Sequence, residues 1–360
     1  MNKYCKVWIT PVIGLLSAAT AASAQDNEPC DQSGFLSTNR LTLSFRMGLN
    51  ISGKFKNVGR SFSTGAPLAA NRRTPDGDRY NYDNGYVLVD SSGNFGGQSW
   101  NWGYDNASQV NSKANTISFN RTVATGLPSE NSGDGSSYFG PELAYDYTLG
   151  ETDWWHHLRV GIESAVNFMP VGFNSGSHVD ASLAQQTDTY TYTPGTTPPS
   201  APYQGSRNGP GFVINVPASS SAVSIIPGAT FIAHQHFDAK LWGARLGPCV
   251  ELPVSQKLDL LLTGGLAAGL IDGSASWNET LVLPGGVGSL AAQGTGHDTS
   301  VLWGFYAGLD AAYQFASHWS VEVGGQYQNL GTYEHNFGGR ELELDLSKSI
   351  FFHAGLSYSF

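Results

Sequence analysis

The sequence is poor in charged residues and in cysteine, and it contains no long hydrophobic run beyond its first residues. Charged residues make up 13% of the 360 positions, and the formal net charge is −10. Because a nucleic-acid-binding surface is basic, this acidic balance argues against nucleic acid as a partner. No later segment offers the roughly twenty consecutive apolar residues that a membrane-spanning helix needs. These scarcities exclude two broad classes, nucleic-acid-binding proteins and helical membrane proteins.

The first 24 residues have the pattern of a secretory signal peptide. Lys3 and Lys6 precede a largely apolar stretch, and the small residues Ala22-Ser23-Ala24 follow it. This order is typical of a cleaved signal, so we predict a signal peptide over 1–24 and a periplasmic N-terminal segment over 25–40. Removal of the two lysines would bring the formal net charge to −12.

Three cysteines leave few covalent constraints. Cys5 would leave with the signal peptide, and only Cys30 and Cys249 would remain in the mature chain. An oxidising destination allows these two to form a disulfide. Two unrelated thiols are the alternative.

Glycine and aromatic residues are abundant instead. The chain has 44 glycines and 12% aromatic residues, and alternation with a period of two runs through eight long segments. Such alternation predicts β-strands with two different faces. Most of these segments are longer than an ordinary strand of about five to six residues. The eight segments are 41–55, 138–149, 157–168, 231–251, 257–271, 301–315, 319–331 and 347–360.

The connections between these segments alternate between short and long, which is typical of an outer-membrane barrel. A tilted strand of about 9 to 11 residues is enough to cross a bilayer. The sequence therefore predicts an all-β fold over 41–360, namely an eight-stranded antiparallel transmembrane β-barrel in the cell outer membrane. Large extracellular loops are expected over 56–137 and 169–230, and outer-membrane lipid is the expected surrounding.

The end of the chain supports this interpretation. Apolar residues occupy every second position from Ile350 to Phe360, and HWSVEVGGQYQNLG covers 318–331. These features resemble the carboxyl-terminal signature of Gram-negative outer-membrane barrels and a strand of OmpA-like transmembrane domains and opacity-type porins. The resemblance implies that Phe360 serves as an assembly signal for the barrel-assembly machinery.

The alternation also predicts which charged side chains point into the barrel. An eight-stranded barrel is just wide enough for side chains to fill it, so charges of both signs should pair with one another. A filled lumen held by salt bridges is the favoured interpretation, and a small gated porin for solutes is the alternative. The predicted lumen charge network comprises Arg46, Glu142, Asp146, Arg159, Glu163, Arg245, Asp310 and Glu322.

The first long loop contains an alternating aromatic row. Trp100, Trp102 and Tyr104 follow Tyr86–Asp90, and the two stretches predict an antiparallel hairpin. An exposed aromatic row could bind sugars or a partner, which would suit a surface adhesin or a glycan-binding barrel. Packing of the row within the loop itself is the favoured alternative.

Catalytic and metal-binding patterns are weak. His318 and Ser320 form a His-x-Ser motif with Glu322 nearby, but His318 is expected in a turn. His234 and His236 share a face without an evident third ligand. We therefore predict no catalytic residues, no metal and no cofactor, and a structural or surface-interaction role rather than an enzyme. The extracellular ligand, if there is one, is not specified by the sequence.

Overall fold

The computed structural model describes residues 39–63, 72–74, 77–90, 97–133, 137–152, 158–216 and 218–360. The predicted signal peptide and Cys30 lie outside the described residues. No helix in the described ranges is long and apolar enough to cross a membrane.

The described residues are almost entirely β-structure. A single α-helix, α1 (Arg60–Ser63), and two short 3₁₀ turns, Ala107–Gln109 and Pro284–Gly286, accompany the strands. In chain order the strands are β1 (Asn39–Leu49), β2 (Ser52–Lys56), β3 (Arg72–Thr74), β4 (Gly77–Tyr82), β5 (Gly85–Asp90), β6 (Gln98–Ser99), β7 (Trp102–Tyr104), β8 (Val110–Asn111), β9 (Thr116–Thr125), β10 (Glu130–Ser132), β11 (Tyr138–Thr152), β12 (Leu158–Thr191), β13 (Tyr203–Gln204), β14 (Ile214–Asn215), β15 (Ser219–Ser220), β16 (Ser224–Ser255), β17 (Leu258–Val282), β18 (Ser289–Gln314), β19 (Trp319–Asn329), β20 (Thr332–Phe337), β21 (Arg340–Asp345) and β22 (Ser349–Ser359).

Eight of these strands pair in a ring. The order is β1, β11, β12, β16, β17, β18, β19 and β22, and β22 pairs with β1 again. Every pair is antiparallel, and Leu43 of β1 lies opposite both Leu143 and Leu356. The predicted number of strands and their antiparallel arrangement are confirmed. Each ring strand overlaps one of the eight alternating segments, although the bounds differ.

A belt of exposed apolar side chains surrounds the ring, and we call it the apolar belt. Leu266 is 71% exposed, Phe45 74% and Trp303 73%, although such residues are usually buried in a soluble protein. The belt consists of Leu41, Leu43, Phe45, Phe139, Leu143, Tyr147, Leu149, Val160, Ile162, Val166, Trp242, Leu246, Leu262, Leu266, Val301, Trp303, Phe305, Leu309, Tyr313, Phe315, Trp319, Val321, Val323, Tyr327, Ile350, Phe352, Leu356, Tyr358 and Phe360.

Aromatic rings gather at both edges of the apolar belt. At the short-turn end, Trp319 lies 5.0 Å from Tyr358, and Tyr358 lies 6.1 Å from Phe360, between ring centroids. At the other edge, Phe168 lies 4.5 Å from Trp242. The final strand therefore presents its alternate apolar residues outward, as the sequence predicts.

Four ring strands continue far beyond the belt and form a wall. β12 has 34 residues, β16 has 32, β18 has 26 and β17 has 25. The prediction of a loop over 169–230 is wrong for 169–191 and 224–230, which are strand. The stretch 272–300, which connects the fifth and sixth alternating segments, is mostly strand around a turn at 283–288.

A four-stranded sheet packs inside the wall, and we call it the roof. Its order is β10, β2, β21 and β20. The alternating segment 41–55 is divided here because Asn50 adopts φ 59°, a left-handed conformation that asparagine tolerates. β2 therefore leaves the ring. Gly53 on β2 is needed for close packing, since a Cβ there would lie 2.0 Å from a ring atom of Phe173.

The roof shares a hydrophobic core with the inner face of the wall. Phe55 is fully buried, and its ring centroid lies 5.7 Å from that of Phe173. Phe173 in turn lies 5.6 Å from Phe237, and Phe237 lies 6.5 Å from Phe337. This core covers the ring on the side away from the short turns.

An ion pair between Arg340 and Glu279 connects the β20–β21 hairpin to the wall. Arg340 Nε donates to Glu279 Oε1 at 2.7 Å, and Arg340 Nη2 donates to Oε2 at 2.6 Å. The guanidinium lies 4.3 Å from the ring centroid of Trp277, and Glu279 is fully buried. The backbone N–H of Gly59 also donates to Glu279, at 3.2 Å. The pair is therefore bidentate and has further hydrogen bonds, which a buried ion pair needs.

A second hydrophobic cluster lies where β9 pairs with the far end of β12, and we call it the tip cluster. Tyr82 donates to Asp188 Oδ2 at 2.9 Å and contacts the hydroxyl of Tyr190 at 2.6 Å, while Arg121 donates to Asp188 Oδ1 at 3.0 Å. Burial raises the pKa of Tyr190 to about 12. The cluster consists of Tyr82, Val87, Trp102, Tyr104, Ile117, Phe119, Tyr190, Tyr192 and Ile214.

Candidate functional site: the charged interior

The inward faces of the ring carry a layered network of ion pairs, which we call the charged interior. It arises from the strand period, because residues two apart on one strand share a face. All eight sequence-predicted residues point inward in the structure, and seven of them lie 3.5 Å or less from an ionisable partner of opposite type. Glu322 is bound by hydroxyl groups and lies 3.9 Å from an imidazole nitrogen.

Glu142 is the centre of the first layer. Arg46 Nη1 lies 2.5 Å and Arg245 Nη1 lies 2.6 Å from Glu142 Oε2, and Arg245 Nη2 donates to Oε1 at 3.0 Å. Arg245 Nε also donates to Glu163 at 2.9 Å. Two arginines and two carboxylates thus balance one another. The Glu142 side chain is only 1% exposed, so its charge depends on these two partners.

Amide and aromatic groups complete this layer. Arg245 Nη1 donates to Gln326 Oε1 at 2.6 Å, and Arg46 Nη2 donates to Gln328 Oε1 at 3.0 Å. The guanidinium of Arg46 lies 3.8 Å from the ring centroid of Phe351, which is close enough for a cation–π contact. Phe351 belongs to the same hydrophobic core as the roof. The first layer therefore lies directly against apolar packing.

The second layer lies nearer the short turns. Arg40 Nη2 donates to Glu251 Oε2 at 2.6 Å, and Arg159 Nη1 donates to Glu251 Oε1 at 3.0 Å. Arg40 Nε also lies 3.5 Å from Asp146 Oδ2. Arg40 and Glu251 are absent from the predicted network, although each shares its face with a predicted member two or more positions away. The alternation could have found them.

Glu322, Asp310 and His353 form a third group between the layers. Glu322 Oε2 accepts from Ser357 Oγ at 2.9 Å and from Thr42 Oγ1 at 3.2 Å. His353 Nε2 lies 2.9 Å from Asp310 Oδ1 and 3.9 Å from Glu322 Oε1. His353 is absent from the predicted network. Its contact with Asp310 depends on the lateral register of three strands, which alternation along a single strand does not contain.

The aromatic row of the first long loop packs internally. Trp102 is fully buried and Tyr104 is 3% exposed, and their rings stack at 5.5 Å in the tip cluster. Trp100 is partly exposed, and its Nε1 donates to the backbone oxygen of Arg207 at 2.9 Å. β5 pairs antiparallel with β7, as the sequence predicts. An exposed binding face made of all three residues is therefore not formed.

The remaining sequence candidates occupy separate places. Cys249 is buried, and its pairing with Cys30 cannot be described because Cys30 lies outside the described residues. His318 is exposed in a turn and contacts the backbone oxygen of Ser359 at 2.8 Å, whereas Ser320 is buried on the inward face. His234 and His236 are exposed on the outer face of the wall, where His236 binds Asn174 and Asp238.

Comparison with known proteins gives structural matches only. The chain matches no protein-family model and no curated protein. The outer membrane protease OmpT from Escherichia coli is 11% identical, covers 92% of this chain and 99% of its own, and has a TM-score of 0.31. OprG from Pseudomonas aeruginosa is 9% identical, with 90% and 96% covered and a TM-score of 0.32. Ail of Yersinia pestis, in complex with the heparin analogue sucrose octasulfate, is 7% identical, with 89% and 99% covered and a TM-score of 0.26.

These neighbours are outer-membrane proteins, but identities and TM-scores this low do not assign a role to this chain. The strand pairings, the apolar belt and the charged interior stand independently of them.

Proposed function

We propose that this chain is an outer-membrane β-barrel protein with a filled lumen, and that it has a structural or surface-interaction role rather than an enzymatic one. The apolar belt carries this proposal, because a soluble protein rarely exposes a contiguous apolar patch of more than a few hundred Å². Backbone groups in lipid need internal partners, and a ring of paired strands supplies them. The aromatic rings at both edges of the belt match the girdles of such barrels.

The inside of the ring supports a filled lumen. The ion pairs among Arg46, Glu142, Arg245 and Glu163 join four successive ring strands, β1, β11, β12 and β16, and the roof packs against their far side. Arg245 also donates to Gln326 on β19, across the ring. A porin would need both the ion pairs and the roof to rearrange. Such a gated conductance remains the alternative function.

The size of the part beyond the belt supports a role at the cell surface. The wall, the roof and the tip cluster are tied together by buried cores and by the Arg340–Glu279 pair. A protein that only filled the membrane would not need this assembly. The proposed extracellular partner is not identified by any group in the described residues, and no glycan-stacking face is built from Trp102 or Tyr104.

Localisation and conductance can be tested on the same protein. We expect the chain to fractionate with the outer membrane and to migrate faster on a gel when unheated than when boiled, as a folded barrel does. Refolded protein in a planar bilayer should show no stable unitary conductance. A mature chain that stayed soluble and monomeric without detergent would contradict the barrel. Stable conductance would favour the gated porin.

The surface role has its own experiment. Deletion of 71–121 should leave the gel shift on heating unchanged, because the ring strands lie outside this range. Binding of the intact cells to host or bacterial surfaces should fall. Unchanged binding together with a folded barrel would point to a purely structural role.

A further inference from the structure

One glycine brings an imidazole and a carboxylate together across an intervening strand. Asp310 on β18 pairs with Gly324 on β19, and Gly324 pairs with His353 on β22. A Cβ at Gly324 would lie 1.7 Å from Asp310 Oδ1 and 2.9 Å from His353 Cε1. Glu322 points inward from the same strand, two residues earlier. The glycine therefore leaves the space in which the three side chains meet.

The three side chains offer one ligand atom each, and these atoms all lie within 4.8 Å of one another. His353 Nε2 is 2.9 Å from Asp310 Oδ1 and 3.9 Å from Glu322 Oε1. The side chains of His353 and Asp310 are only 4% and 5% exposed. Among the described residues, Asp310 Oδ1 and His353 Nδ1 have no hydrogen-bond partner, so the 2.9 Å contact lacks the alignment of a hydrogen bond. Buried polar atoms left in this state are costly, and a bound cation would satisfy Oδ1.

The interior has more negative than positive charge. Asp310 and Glu322 contact no arginine or lysine in the ion pairs of the described residues. Four arginines face inward at the level of the belt, against seven carboxylates. A divalent cation would supply the positive charge that these two carboxylates do not receive from an arginine or a lysine. The groups are Arg40, Arg46, Arg159 and Arg245, with Glu142, Asp146, Glu163, Glu251, Asp259, Asp310 and Glu322.

The donor set decides the kind of ion. We propose that Asp310, Glu322 and His353 bind one divalent transition-metal ion of the Zn²⁺ type inside the barrel. One imidazole nitrogen and two carboxylate oxygens suit such an ion, whereas Ca²⁺ and Mg²⁺ prefer oxygen alone. Ser357 and Thr42 donate to the other oxygen of Glu322, which fixes its orientation as outer-shell partners do.

Histidines elsewhere could also bind zinc, so the test needs a defined background. His236 contacts Asp238, and His297 lies 2.8 Å from Asp272 on the outer face of the wall. The parent variant keeps His353 and has glutamine at the other eight histidine positions. It is refolded in detergent, stripped of metal with EDTA, checked for folding by its gel shift on heating, and titrated with Zn²⁺ in a calorimeter.

We expect the parent to bind one equivalent of Zn²⁺. His353→Gln or Asp310→Asn in this background should weaken binding by more than about 100-fold, beyond the roughly 10- to 100-fold that loss of an outer-shell partner costs. Ser357→Ala should weaken it by about tenfold. A folded parent that binds no zinc, or a parent and His353→Gln with equal affinity, would overturn the proposal without affecting the barrel.

A spectroscopic measurement on the parent alone tests the proposal even when the substituted variants fail to refold. Pulsed EPR of the Cu²⁺-loaded parent should show modulation from the remote nitrogen of one imidazole, because the parent contains a single histidine. Absence of that modulation in folded, Cu²⁺-bound parent would mean that His353 is not a ligand, and would also overturn the proposal.

Discussion

At the scale of single residues, Glu142 is a deeply buried carboxylate whose charge is balanced by two arginines. Both of its oxygens accept from arginines, and its side chain is 1% exposed. A buried ion pair adds little stability compared with an apolar replacement, but removing one partner leaves an uncompensated buried charge. Neutralising Glu142 alone would leave Arg46 without its carboxylate and Arg245 with only Glu163.

Glu142→Gln should therefore lower the free energy of unfolding by about 3–5 kcal/mol. Urea titration of the refolded protein in detergent, followed by tryptophan fluorescence, measures this change. Glu334→Gln is the matched control, because Glu334 is 55% exposed and an exposed pair contributes only about 0–1 kcal/mol. Equal losses for the two variants would contradict the role of Glu142.

Most inward residues could be assigned from the sequence, because the strand period fixes the face of each residue. Arg40 is absent from the predicted network because the predicted segment begins at Leu41, whereas β1 begins at Asn39. His353 was missed for a different reason. Its partners lie on β18 and β19, and alternation within β22 says nothing about which residue of a neighbouring strand lies opposite. The candidate metal site therefore could not be predicted from alternation alone, because it depends on the register between β18, β19 and β22.

At the scale of elements, the apolar residues of each wall strand change from the outer face to the inner face where the strand leaves the belt. In the belt the apolar residues face outward, as Trp242 does on β16, whereas above the belt they face inward, as Phe237 does. On β17, Leu266 faces out and Trp277 faces in. Apolar residues change faces because the outer surroundings change, while the strand itself continues. A sequence prediction that expects the apolar residues on one face throughout therefore ends each strand at the edge of the belt. It assigns the remaining strand residues to loops.

The roof offers an element-scale prediction about pH. The ammonium of Lys56 lies 2.5 Å from Glu343 on the neighbouring strand β21. Hydrogen bonding from Lys56 lowers the pKa of Glu343 below its usual value, against the opposing effect of burial. Because the pKa is depressed in the folded state, the stabilisation is complete above the usual glutamate pKa of about 4.3 and is lost as the pH falls through the lower, folded-state value.

Glu343→Gln should therefore make the urea midpoint less sensitive to acidification than it is in the unmodified protein. The measurement compares midpoints at pH 6 with those below about pH 4, the range in which the carboxylate becomes protonated. Glu334 lies opposite Glu343 on β20 and 3.5 Å from Lys56, but its side chain is 55% exposed, so Glu334→Gln should change the pH dependence less than Glu343→Gln does. An unaltered pH dependence in Glu343→Gln would exclude this contribution.

At the scale of the whole molecule, the outer face of the wall strands is apolar within the belt and more polar beyond it. Leu266 and Ser274 both point outward from β17, but Leu266 lies inside the belt and Ser274 lies beyond it. If the belt contacts acyl chains, a charged side chain at position 266 destabilises the protein and one at position 274 does not. A soluble protein would tolerate either.

Leu266→Arg should lower the free energy of unfolding in lipid by about 2–4 kcal/mol, the cost of a cation on the lipid face near the bilayer midplane. Ser274→Arg should change it by less than about 0.5 kcal/mol, as surface substitutions do. Urea titration of protein folded into phosphatidylcholine vesicles measures both. Equal effects would argue that the belt does not contact lipid.

The continuity of the wall strands also has a mechanical consequence. β12 and β16 both extend from the belt towards the far end, and they pair from Arg159–Glu251 to Gln185–Ser224 with one register shift at Ala181/Ser182. A force applied to the tip cluster would be carried as shear by the series of backbone hydrogen bonds between these strands and would reach the ring through continuous β-structure. The part beyond the belt would therefore be rigid relative to the ring and would hold a bound partner at a fixed distance from it.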